Sequence, residues 1–216
     1  MEEYAVKTVM LLNKKKYKVL LEGTRNIIIA LYPSEIRKFN IIEGNFLSEE
    51  QYRQIEEILY KRGKERALYY LKNSDKTTYQ MRSKLREGLY PEAIIDKVIH
   101  FLNNYGYIDD LQYAIRFISY NFSKNSSRKI SEKLRIKGIS KDIIEEAFSN
   151  LSEYDEEFDK RKAEIELIRK QLIKKIKPDM DIQAENKLVM SLVRKGFLYE
   201  DVISVLKEEK NTIFSV

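Results

Sequence analysis

The residues of this chain whose types and spacing could do chemistry are cations set beside glycines. Lys84 and Arg86 precede Gly88; Lys133, Arg135 and Lys137 precede Gly138; Arg194 and Lys195 precede Gly196. Arg128 and Lys129 open the stretch that ends at Gly138. Ammonium and guanidinium groups repeated along an edge suit phosphates, with salt-dependent, sequence-independent attraction, or an acidic protein surface. The same cations also suit a helix C-terminus, where each stabilises the macrodipole by about 0.3–1 kcal/mol. Tyr107 could stack on a base or a partner, although an aromatic beside a helix turn is more often core.

Catalytic arrangements are not legible. Without cysteine there is neither a thiolate metal site nor a disulfide framework. The sequence has no Gly-rich phosphate loop and no zinc-spaced cluster. Asp109 and Asp110 could be imagined as metal-binding carboxylates of a nuclease, but Asp109 reads better as a helix N-cap with Gln112 completing the box. The lone His100 lies off its helix's apolar face and is expected in solvent. No nucleophile–base set stands out, so the expectation is a non-enzyme with no cofactor and no metal.

The elements that must position these residues are mostly helical. From Ser48 onward apolar residues take helical spacing, as at Tyr52, Ile55, Ile58 and Leu59. Ser48 with Gln51 and Thr77 with Gln80 are capping boxes. Gly63 is a candidate break. Pro91, Asp109, Ser126 or Ser127, Ser140 and Asp181 mark further helix starts, and Gly88, Gly106, Gly138 and Gly196 mark stops at positive φ. Leu89, Ile139 and Phe197 are expected to pack back on the helix just ended. Glu153 to Asp159 is acidic and is expected to open a long helix that Pro178 ends. Gly88, Gly138 and Gly196 recur at intervals of about fifty to sixty residues, so each repeat holds about three helices. Before Ser48 the runs Tyr4–Leu12, Tyr17–Leu21 and Ile27–Tyr32 read as three strands of an antiparallel meander, with a helical turn at Pro33–Arg37. The boundaries expected are an N-terminal β-meander over residues 1–46 and helical repeats over 47–106, 107–152 and 153–216.

Composition agrees with a mainly α protein. Seven Gly and three Pro among 216 residues are too few for an all-β sandwich. Forty Lys and Arg against thirty-four Asp and Glu give a net charge of +6, compatible with nucleic acid or an acidic surface. No apolar run approaches a membrane span, and Met1-Glu2-Glu3-Tyr4 carries no secretory signal; a cytoplasmic chain without a membrane partner is expected.

The chain resembles the RecX family, regulators of the RecA recombinase. The resemblance rests on Gly106-Tyr107-Ile108-Asp109-Asp110 followed by Tyr113-Ala114, on Lys133-Leu134-Arg135-Ile136-Lys137-Gly138-Ile139, and on Arg194-Lys195-Gly196-Phe197 followed by Tyr199-Glu200-Asp201-Val202. The helix Ala67-Leu68-Tyr69-Tyr70-Leu71 fits it too, and the match runs from roughly residue 64 to 207. Two departures stand out: Tyr120 to Ser127 has no glycine where the family often has one, and Glu87 replaces the lysine before Gly88. The resemblance implies three tandem three-helix units in an elongated, curved body. It also implies a monomer that binds the groove of the RecA filament on DNA, inhibits strand exchange and ATP hydrolysis, and serves recombination control, DNA repair and the SOS response. Contact with single- or double-stranded DNA is possible in that setting, and the rival reading is a stand-alone DNA-binding helical-repeat protein. The candidate contact residues are Lys84, Arg86, Tyr107, Arg128, Lys129, Lys133, Arg135, Lys137, Arg194 and Lys195.

Overall fold

A computed structural model describes residues 3–154, 159–177 and 180–214. The chain divides into two compact units, Met1–Asp109 and Asp110–Val216. The described residues are mostly helical, behind a small antiparallel sheet.

The first unit opens with β1 (Glu3–Asn13), β2 (Lys16–Glu22) and β3 (Ile27–Leu31), then α1 (Pro33–Lys38). A fourth strand, β4 (Phe46–Ser48), joins the expected three, in the order β3-β2-β1-β4. Three residues beside a turn carry too little alternation to be read as a strand; pairing of Leu47 with Tyr4 of β1 defines it. Val6, Val19, Leu21, Ile29, Leu31 and Leu47 bury one face of the sheet. Against it lies α2 (Glu49–Asn73), where Tyr4 stacks on Tyr52 with ring centroids 4.2 Å apart. Arg62 of α2 pairs with Glu35 of α1, and its guanidinium donates to the Ala30 carbonyl at 3.1 Å.

Gly63 does not break α2. Tyr52, Ile55, Leu59, Gly63 and Ala67 form its buried face at unbroken helical spacing. A Cβ on Gly63 would come within 3.0 Å of Val98, on α4 (Glu92–Asn104). The glycine is there for close helix approach, which offsets its cost of about 1 kcal/mol relative to alanine.

Three three-helix units follow one plan. A leading helix packs on a third helix, and a short helix lies between them in sequence. The trios are α2, α3 (Thr78–Glu87) and α4; α5 (Asp110–Asn121), α6 (Ser127–Ile136) and α7 (Lys141–Tyr154); and α8 (Lys160–Ile173), α9 (Ile182–Val193) and α10 (Tyr199–Phe214). The first core is continuous with the sheet, and the other two trios have their own, around Ile118, Leu134 and Ala147 and around Leu172, Leu192 and Val205. The long helix expected to open at Glu153 begins later. Helix α7 runs on to Tyr154, and α8 is capped by Asp159, whose carboxylate accepts from the Arg161 and Lys162 N–H groups. Residues 155–158 and Pro178, on which the rest of that expectation falls, lie outside the described residues.

Each short helix stops in the same way. The N–H of Tyr90, Ile139 and Phe197 donates to the carbonyl of Leu85, Leu134 and Leu192, at 3.2, 3.1 and 3.4 Å. The residue before the donor takes positive φ, as the Schellman stop demands. That residue is Gly138 or Gly196 in two units and Leu89, at φ 58°, in the first. Gly88 has φ −80° and aligns with Lys137 and Lys195, so the glycine register read from sequence is one residue out in the first repeat. A Cβ on Gly88 would meet the Tyr90 ring at 2.9 Å, which explains the glycine there. It is Tyr90, not Leu89, that fills the core position of Ile139 and Phe197, and burial pushes its hydroxyl up to about 12. Helices α1 and α4 end on the same bond, from Ile41 to Ile36 and from Tyr107 to Leu102, with Asn40 and Gly106 at positive φ.

A pair of substitutions separates backbone from contact. A Cβ on Gly106 meets nothing within 4 Å, whereas one on Gly196 would lie 2.6 Å from the Ser126 hydroxyl. Urea unfolding should therefore show Gly106→Ala losing about 1 kcal/mol, from backbone alone, and Gly196→Ala losing roughly 1–3 kcal/mol more. Equal losses would mean that the Gly196 contact carries no weight.

Candidate functional site

The second unit brings the start of α6 against the end of α9. Ser126 is fully buried and does two jobs with one hydroxyl. As N-cap it accepts from the Lys129 N–H at 3.3 Å, and it donates to the Lys195 carbonyl at 2.7 Å. An orphan N–H of one helix and an orphan carbonyl of another are thus satisfied at one atom. Beside it, the Ser127 N–H donates to the Glu164 carboxylate of α8 at 2.6 Å. Gly196 makes the approach possible, because any side chain there would strike Ser126 and Arg128.

This junction gathers four of the sequence candidates. Arg128, Lys129, Arg194 and Lys195 line one pocket of about 260 Å³, with Glu132 as its sole carboxylate. Arg128 pairs with Glu132 at 3.5 Å, both side chains well exposed, an arrangement worth little. Lys195 donates to the Gln171 side chain at 2.5 Å, while Lys129 and Arg194 have no side-chain partner among the described residues. On the neighbouring side Lys129 and Lys195 line a second pocket, of about 340 Å³, together with Lys124. Such a cluster can neutralise several anionic oxygens at once, with an affinity that falls steeply with salt.

The other candidates are placed differently. Along α6, Lys133 donates to Asn125 at 3.4 Å, and Arg135 is exposed with no partner among the described residues. Lys137 lies over the Tyr113 and Phe117 rings, at 5.7 and 5.6 Å. In the first repeat the cations are engaged locally. Lys84 pairs with Glu87 at 2.8 Å, and Arg86 holds Glu92 through two hydrogen bonds, of 2.5 and 3.0 Å. The bond from Arg86 keeps the Glu92 carboxyl below the usual carboxylate range and the guanidinium above its own. Counted from the helix-stop bond, Lys84 matches Lys133 and Arg86 matches Arg135, but Arg194 falls at Glu87 and Ile136; only Lys195 matches a cation, Lys137.

Tyr107 is not core: it is 51% exposed, and Ile108 takes the buried place. It groups with Tyr105 and Phe101, its ring centroid 6.4 and 6.0 Å from theirs. His100 is exposed, as expected. Sequence reasoning missed the docking role of Ser126, whose capping signal says nothing of a second partner 69 residues away. It also missed Arg169, whose guanidinium reaches Glu166, Glu208 and Glu209 at 2.9, 3.1 and 2.7 Å and ties α8 to α10.

Comparison with known proteins agrees on one family. Residues 64–102 match the model described as RecX, first three-helix domain, and residues 109–147 the one described as RecX, second three-helix domain. The regulatory protein RecX of Clostridium acetobutylicum is 32% identical over 178 residues, which cover 82% of this chain and 81% of that one. That of Clostridium botulinum strain Eklund 17B is 38% identical over 149 residues, 68% of each chain. A crystal structure of regulatory protein RecX superposes with a TM-score of 0.62 at 22% identity, covering 95% of this chain and 99% of that one. RecX from Lactobacillus salivarius gives 0.58 at 26% identity, covering 69% and 96%.

Ser126→Ala tests how the junction is held. Losing a cap and a buried carbonyl's donor should cost about 1–3 kcal/mol. Hydrogen exchange should speed up at the Lys129 amide and in the last turn of α9 together. Faster exchange in α6 alone would show that Ser126 is only a cap.

Proposed function

The chain belongs to the RecX family, and on that premise we propose that it binds the RecA–DNA filament and lowers recombinase and ATPase activity without chemistry of its own. The observation that carries this reading is the α6–α9 junction, where Arg128, Lys129, Arg194 and Lys195 converge with a single carboxylate. A filament on DNA presents regularly spaced phosphates and protein together, and a rigid cationic corner suits such a target. The two serine hydrogen bonds and the absent Gly196 side chain fix the corner, so binding need not order it first. Arg135 and Lys133 lie further along the same short helix and extend the cationic edge. With its repeats seated in a filament groove the chain opposes filament extension, or the entry of a second duplex, by occupation.

The test is ATP hydrolysis by RecA on single-stranded DNA as the purified protein is titrated in. Suppression at substoichiometric protein is expected. Charge reversal at Lys133 and Arg135, or replacement of Arg128, Lys129, Arg194 and Lys195 by Gln, should raise the concentration needed by about ten-fold or more at moderate salt, since each lost phosphate contact removes part of the salt-dependent attraction. Unchanged suppression by both variants would remove this surface from the function. Binding to bare DNA with no effect on RecA turnover would favour the stand-alone DNA-binding reading.

A further inference from the structure

A second cationic concavity lies in the first unit, far in sequence from the α6–α9 junction. It forms where the β1–β2 turn meets α2 and the end of α3, and has a volume of about 440 Å³. Lys15 comes from the turn and Lys16 from the start of β2, Arg62 and Arg66 from α2, and Lys84 from α3; Glu87 is the one carboxylate in the lining. Three of these cations have no carboxylate partner among the described residues: Lys15, Lys16 and Arg66. Aromatic rings hold two of them instead. Lys16 lies over the Tyr32 ring at 4.9 Å, with Arg62 over the same ring at 4.5 Å. Arg66 lies over Tyr70 at 4.7 Å, its Nε donating to the Tyr70 hydroxyl at 3.0 Å.

The tyrosine at the floor points the same way. Tyr90 is 8% exposed and lines the pocket, yet its hydroxyl has no hydrogen-bond partner among the described residues. Cations brought together from three elements repel one another unless an anion is shared among them. Their donors, with a neutral phenol beneath, match the acceptor-only oxygens of a phosphate group.

We propose that this pocket binds a phosphate group, carried on a single nucleic-acid strand. A strand is favoured over a free phosphate because its successive phosphates can engage cations that three elements bring to the lining. The N-terminal sheet thereby has a ligand-binding task, supplying Lys15 and Lys16. This site does not depend on the filament reading, and its test contains no recombinase.

The experiment is fluorescence anisotropy of a labelled oligothymidylate with the full chain, at several salt concentrations. Replacing Lys15, Lys16 and Arg66 together by Gln should weaken binding by about ten-fold or more and flatten the salt slope by about 2, at roughly 0.7 per lost strand contact. Tyr90→Phe, which keeps the buried ring, should weaken binding several-fold. A control with the same charge loss, Lys141, Lys187 and Lys207 to Gln, should do neither. Inorganic phosphate and ATP serve as competitors. Weak competition by both supports the strand; ATP competing as tightly as the strand keeps the phosphate site but overturns the strand as its ligand. Equal weakening by the two triple variants, or none by the pocket triple, overturns the proposal, and thermal melts of each variant exclude misfolding as the cause.

Discussion

One backbone hydrogen bond organises the helical part of this chain. At the end of each short helix, the N–H of a buried residue reaches five residues back to a leucine carbonyl, and the residue just before it is forced to positive φ. The bond closes the helix, satisfies a carbonyl that would otherwise be orphaned, and turns the next residue into the core. Tyr90, Ile139 and Phe197 are those core residues. The stops also aim cations at the candidate surface, because Lys137, Arg194 and Lys195 are residues of the stop itself.

The consequence for function runs through Gly196. The stop demands positive φ there, and the same missing side chain lets Ser126 of the second repeat reach the Lys195 carbonyl of the third. Backbone geometry and docking therefore use one glycine. The first repeat solves the stop with Leu89, and its own cations turn to Glu87 and Glu92. Similar residues at similar helix ends thus have different freedom. Arg135 and Arg194 face solvent without partners among the described residues, whereas Arg86 is engaged.

Much of this is legible in the residues. Capping boxes at Ser48 and Thr77 and the apolar spacing of α2 mark their helices directly, because local hydrogen bonds and one-sided burial decide them. What is hidden depends on partners distant in sequence. Gly63 looks like a break until Val98 is seen against it, and β4 is three residues whose only signal is the edge of β1. Glycine spacing reveals the repeats, yet puts the first stop one residue out, since Gly88 serves the Tyr90 ring and not the backbone turn. At the candidate site the residue types are readable and the convergence is not. Arg128 and Lys129 stand more than sixty residues from Arg194 and Lys195 in the chain, and the two pairs meet where Ser126 docks on the Lys195 carbonyl.

The most direct measurement is hydrogen exchange on the chain alone and bound to the RecA filament. Exchange should slow on binding at the first turn of α6, around Lys129, and at the end of α9, around Arg194 to Gly196. Protection absent from both helix ends, with slowing confined to other elements, would contradict a filament-binding role for this junction.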